Sequence, residues 1–180
     1  MTAVDLRLDH LAVATRYAAN PDQWPVAPRF NPVDRWYQRL EVADDHEVWL
    51  LTWLPGQGTD LHDHGGSAGA FHVFAGTLTE DTVSVPAGFP AAEADGLDRL
   101  AGRRAGGDTG GPARITARKL GEGAGRRFGT RHIHRITNRS ARPAVSIHVY
   151  GPALSTMTRY RIGDTGRLEV RTVERAGVQW

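Results

Sequence analysis

Between two apolar, strand-like runs the chain carries PGQGTDLHDHGGSAGAFHVFAG over residues 55–76. Residues 49–54, rich in tryptophan and leucine, read as a buried strand; Pro55-Gly56 breaks it, and residues 71–74 open another run that Gly76 ends. A short hairpin-like unit is predicted, with His62 and His64 at its rim. Residues two apart on an extended segment point to the same side, so both imidazoles can converge on one metal ion. An isolated H-x-H also occurs in surface loops; the flanking strands give this one its weight.

The remainder supplies more strands. Apolar positions at Leu6, Leu8, Leu11, Val13 and Ala14, then Tyr17 and Ala18, suit an amphipathic helix over residues 5–19 that stops before Pro21. Four prolines between residues 21 and 32 cut the next stretch into irregular pieces, with a short helix expected from Asn31-Pro32 to Trp36. This N-terminal region is expected to pack outside a sheet. From Tyr37 the period becomes two, and strands are predicted over 37–43, 46–54, 77–85, 114–120, 131–137, 143–150, 157–162 and 168–173. Residues 86–112, rich in Gly, Ala, Asp and Arg, read as an insertion rather than a second domain. Many short strands without intervening helices predict an all-β sandwich or barrel of jelly-roll type with helical decoration, in a single domain over 1–180. No phosphate-cradling glycine loop and no G-x-S-x-G elbow is present.

Cysteine is absent from all 180 residues, so any metal must be held by nitrogen and oxygen donors, and neither a disulfide nor a cysteine nucleophile is available. Two imidazoles rarely hold a transition metal firmly, which calls for a third donor from a separate strand. The candidates are His132, His134 and His148. His132 and His134 should face one way, as should Ser146, His148 and Tyr150 on the next strand, and spacing alone does not choose between the first two. No partner spacing supports His10, His46 or His72.

The order Gly56-x5-His62-x-His64-x4-Gly69-x6-Gly76 resembles the first cupin motif, with glycine where a glutamate ligand usually stands, and His134-x3-Asn138 resembles the end of the second. Over roughly residues 35–151, WLLTWLPGQGTDLHDHGGSAG, HRITN and SIHVYGP together resemble bacterial members of the cysteine dioxygenase family, mononuclear non-haem iron enzymes of the cupin fold. The resemblance implies an Fe(II) cofactor bound by His62, His64 and His134, without a carboxylate ligand. It also implies an active-site tyrosine at Tyr150, its hydrogen-bonded neighbour at His148, the outer member of that relay at Ser146, an arginine for the substrate carboxylate at Arg39, and a further pocket tyrosine at Tyr37. Strand alternation sends only one of Gln38 and Arg39 inward, and the resemblance favours Arg39. The cysteine that animal members cross-link to the tyrosine is replaced by Gly69, so Tyr150 acts unmodified.

The implied reaction turns L-cysteine and dioxygen into cysteine sulfinate. 3-Mercaptopropionate or another small thiol is the alternative substrate, and a non-enzymatic metal- or ligand-binding cupin is the alternative class. A formal charge of +2 implies no nucleic-acid partner, and the pairs Arg103-Arg104 and Arg126-Arg127 read as solvated surface. With no apolar run long enough for a membrane span and no signal-like N-terminus, the expected setting is cytoplasmic and the expected partners are a small thiol and dioxygen; the sequence does not determine the oligomeric state, a monomer being compatible with it.

Overall fold

A computed structural model describes residues 8–84 and 112–176, so the expected insertion at 86–112 lies almost wholly outside the described residues. Among the described residues one α-helix, α1 (His10–Ala19), precedes eleven strands: β1 (Tyr37–Val42), β2 (Glu47–Trp53), β3 (Leu61–His62), β4 (Ala68–Ala75), β5 (Thr77–Ser84), β6 (Arg114–Gly121), β7 (Gly125–Phe128), β8 (His134–Thr137), β9 (Ala144–Gly151), β10 (Thr156–Ile162) and β11 (Leu168–Arg175). They form a five-stranded sheet in the order β1-β2-β9-β4-β7 and a six-stranded sheet in the order β11-β10-β3-β8-β5-β6. The paired strands of both sheets run antiparallel.

Period-two alternation decides what each face of the five-stranded sheet does. On β9, Val145, Ile147 and Val149 turn outward with Val48 and Leu50 of β2 to meet Val13, Ala14 and Ala18 of α1. Ala144 and Tyr150 turn inward with Leu51 and Trp53 of β2, and there Phe71, Leu78, Phe128 and Ile136 complete the core. Full burial of each such side chain stabilises the fold by roughly 1.5–3 kcal/mol, so both faces of β9 are committed. The predicted placement outside a sheet therefore holds for α1.

The helix begins at His10 because the Asp9 carboxylate caps it, accepting from the backbone N–H groups of Leu11 and Ala12 at 3.1 and 3.2 Å. Asp9 also pairs with Arg127 of β7, which fixes the helix start to the sheet edge. Asn20 and Pro21 end it, and Pro21–Gln23 forms one 3-10 turn.

Three expectations need correction. No helix forms over residues 31–36: the Asn31 side chain accepts from the backbone N–H of Val33, a local turn that competes with helix initiation. β2 and β4 are not a hairpin, because β9 lies between them and the chain crosses to the other sheet at β3 before returning. β7, unassigned in the sequence, pairs with β4, and it gives the Arg126-Arg127 pair two different fates. Arg127 stays exposed beside Asp9, whereas Arg126 reaches inward to Glu80.

Candidate metal centre and its pocket

His62 belongs to β3 and faces His134 of β8 as its direct antiparallel partner. His64 lies just past β3, and the loop that returns it is tied down by Asp63. That buried carboxylate accepts from the backbone N–H groups of Gly65 at 3.0 Å and Thr158 at 3.1 Å, and from the Tyr160 hydroxyl at 2.7 Å. Gly65 and Gly66 have φ of 55° and 97°, and a Cβ on Gly65 would run into Thr156, so the turn needs glycine there. The outcome is three buried imidazoles, His62, His64 and His134, each with one ring nitrogen within 4.8 Å of the others. Their ring centroids stand 4.9–5.0 Å apart.

Hydrogen bonding assigns the free nitrogens. His62 Nδ1 lies 2.9 Å from the carbonyl of Asp60, which can only accept, so Nδ1 carries the proton and Nε2 the lone pair. His134 Nδ1 lies 2.9 Å from the Glu80 carboxylate, with the same consequence. Both ring nitrogens of His64 are buried without a hydrogen-bond partner among the described residues, which is costly unless a ligand takes one of them. Burial pushes all three imidazoles below their ordinary protonation range; the charge of His134 adds to this at His62, and that of His62 at His64. Neutral, convergent, nitrogen-only donors fit a divalent first-row metal such as iron.

No carboxylate can join this ligand set from position 69. A Cβ on Gly69 would lie 2.3 Å from the Val149 carbonyl and 2.7 Å from the Phe128 ring, so a longer side chain there has no room. The Phe128 ring occupies that space, stacked on His64 at 4.7 Å.

A cavity of about 170 Å³ opens beside the histidines, with His62, His134, His148 and Tyr150 among its lining. At ~30 Å³ per water, it suits a small molecule. Arg35, Tyr37, Trp49, Trp53 and Arg159 also line it, with Thr59, Leu154 and Met157, and no acidic side chain among the described residues does. Ser146, His148 and Tyr150 are joined as the alternation predicts: Ser146 Oγ lies 2.9 Å from His148 Nε2, and Tyr150 Oη lies 3.2 Å from His148 Nδ1. Trp53 adds a member that sequence reasoning missed, donating its indole N–H to Ser146 Oγ at 2.9 Å.

Arg39 is not among the lining residues. It is half-exposed, lies 3.5 Å from the buried Glu47 and rests over the Trp49 ring; Gln38 beside it is exposed. Arg35, four residues earlier, lines the cavity, its guanidinium 4.6 Å from the centre of the Trp53 ring and its Nε and Nη1 buried without a hydrogen-bond partner among the described residues. Arg35 precedes β1 in irregular chain, so strand periodicity could not single it out. Arg159 also lines the cavity but donates to Glu174 at 2.6 Å. Asn138, the last residue of the second motif, ties β8 to the end of β2 by donating to the carbonyls of Trp53 and Arg142.

Two facing sheets closed over three inward-pointing histidines define a cupin-type metalloprotein. The model of the family described as cysteine dioxygenase type I matches residues 3–162, and the chain belongs to that family. It is an Fe(II)-dependent thiol dioxygenase whose iron ligands are provided by the three-histidine cluster. No curated protein matches the chain. Solved structures similar to it include TT1209 from Thermus thermophilus, with 21% identity, 70% of this chain and 90% of that one covered, and a TM-score of 0.47. Another is a protein with a double-stranded β-helix domain from Klebsiella pneumoniae, with 16% identity, coverages of 84% and 93%, and a TM-score of 0.45. Among the described residues no helix is long and apolar enough to cross a membrane.

Proposed function

We propose that the cavity binds L-cysteine with its carboxylate on Arg35 and its sulfur toward the three histidines, and that Tyr150 is the proton donor facing the reacting atoms. The observation that carries this reading is the Arg35 guanidinium: it is pushed below its usual range chiefly by burial, yet Nε and Nη1 have no hydrogen-bond partner among the described residues, in the same cavity as His62, His134 and Tyr150. A planar cation with open donors calls for an anionic partner, and a carboxylate matches its fork.

A thiol and dioxygen together give a sulfinic acid: both oxygen atoms bond to sulfur, which gives up four electrons to them, and the acid then releases its proton to water. Iron(II) held by His62, His64 and His134 supplies the one-electron chemistry that lets dioxygen react with a thiol. The protein's part is orientation and proton placement. The Trp53 indole can only donate to Ser146 Oγ, and among the described residues His148 Nε2 is the one acceptor bonded to this buried hydroxyl, so the Ser146 proton goes to His148 Nε2. The neutral His148 ring then carries its proton on Nδ1 and donates it to Tyr150 Oη. Tyr150's own proton is thereby directed away from His148 and into the cavity. Burial pushes the phenol up, so it remains a donor across the ordinary pH range.

Oxygen consumption by iron-reconstituted protein, with product identified by mass, tests the reading. Cysteine sulfinate with one dioxygen consumed per thiol is expected; no uptake with any thiol would return the chain to a non-enzymatic cupin. Arg35→Ala should weaken carboxylate-bearing thiols by ~1–3 kcal/mol in kcat/KM while leaving cysteamine little affected. Equal losses for cysteine and cysteamine would remove Arg35 from carboxylate binding. One observation favours 3-mercaptopropionate as the alternative: among the described residues two arginines and no acidic side chain line the cavity, so none of them offers a carboxylate to an ammonium group. A kcat/KM higher for 3-mercaptopropionate than for cysteine would establish that alternative.

A further inference from the structure

Behind the metal cluster lies a carboxylate that the reaction does not touch. Glu80 sits on β5 opposite Ile136 of β8, diagonal to His134, and is fully buried. Oε1 accepts from His134 Nδ1–H and from His132 Nε2–H, both at 2.9 Å, and Oε2 accepts from Arg126 Nε–H at 2.8 Å. His132, one of the candidate third donors in the sequence, is thus part of the same assembly and stacks on Phe128 at 5.4 Å. Phe128 stacks in turn on His64. Of the three metal-site imidazoles, His62 is oriented by a backbone carbonyl and His64 has no hydrogen-bond partner among the described residues. Glu80 is therefore the one carboxylate bonded to a ligand ring among the described residues.

We propose that Glu80 is a positioning residue for the iron site: it fixes the His134 tautomer, presents Nε2 to the metal and supplies, from behind the ring, the negative charge that three neutral ligands lack. The proposal rests on the three-histidine reading of the site. It explains why a buried anion is kept beside a ligand set from which Gly69 leaves out any carboxylate. His132 and Arg126 hold the carboxylate in place, so it does not swing forward to become a ligand itself. Partners of this kind change metal affinity by roughly 10- to 100-fold when removed.

Three metal-free proteins, wild type, Glu80→Met and Glu80→Gln, are compared by anaerobic calorimetric titration with Fe(II) and by imidazole ¹⁵N–¹H correlation spectra. Wild type should show His134 protonated on Nδ1. Glu80→Met, similar in volume but without an acceptor, should lose that uniform tautomer and bind iron roughly 10- to 100-fold more weakly. Glu80→Gln keeps an acceptor oxygen and should recover the tautomer and part of the affinity. Wild-type affinity and an unchanged His134 tautomer in Glu80→Met would assign Glu80 to the fold alone and overturn the proposal. Should Glu80→Met fail to fold, Glu80→Gln decides: a weakening of at least about threefold is expected from loss of the charge, and wild-type affinity overturns the proposal. A wild-type protein that takes up no iron overturns the three-histidine reading along with it, an outcome distinct from wild type and variant binding alike.

Discussion

Tyr150 ends a line of hydrogen bonds that starts at the Trp53 indole, and its single hydroxyl is what the line delivers to the cavity. Tyr150→Phe should keep the iron load but slow turnover by roughly 10²-fold or more, the scale of a lost positioned proton donor, with some oxygen consumed without sulfinate. Unchanged rate and coupling would reduce the side chain to packing against His64. His148 in the middle of the line is pushed well below its ordinary value of 6.5 by burial first and by the Arg35 charge second. Its folded form stays neutral while the unfolded chain takes up a proton near pH 6.5. The associated stability is present above that pH and lost as pH falls toward the depressed folded value. In metal-free protein, His148→Gln should make the fall in unfolding free energy below pH 6.5 shallower by up to about 1.4 kcal/mol per pH unit, measured by urea titration at several pH values. An identical slope would show that His148 is not held neutral.

The loop after β3 is the element on which the metal site depends, and Asp63 is its anchor to β10. Three hydrogen bonds end on that one carboxylate, each to a group that is buried or partly so. Asp63→Ala should cost about 3 kcal/mol in denaturant unfolding and weaken iron binding, since His62 and His64 flank the lost anchor. Asp63→Asn, which keeps one acceptor oxygen for the backbone donors, should recover part of both. A stable Asp63→Ala protein with wild-type iron affinity would mean that the loop is held by other contacts. The H-x-H spacing was legible because it is local. The role of the aspartate between the two histidines was not, since its partners Thr158 and Tyr160 lie nearly a hundred residues away.

For the molecule as a whole, iron binding and folding are linked, because the three ligands come from β3, the loop after it and β8, and converge only when the six-stranded sheet is formed. Free Fe(II) at about a hundred times its dissociation constant adds ~2.7 kcal/mol. For a chain of this size that raises the melting temperature by roughly 5–10 °C. Anaerobic melts with and without Fe(II) should show the shift in wild type and lose it in His134→Ala; a shift retained by that variant would remove His134 from the ligand set. Most of the strands, the inward face of β9 and the members of the histidine cluster were readable from residue spacing and from resemblance to the family. Both are properties of short segments, in which alternation and motif order survive without the fold. Which arginine lines the cavity, which strand separates β2 from β4, and which carboxylate stands behind His134 are relations between distant segments. Period-two patterning assigns a side chain to a face but not to a neighbour; strand order and register supply the neighbour, and they exist only once the two sheets have closed.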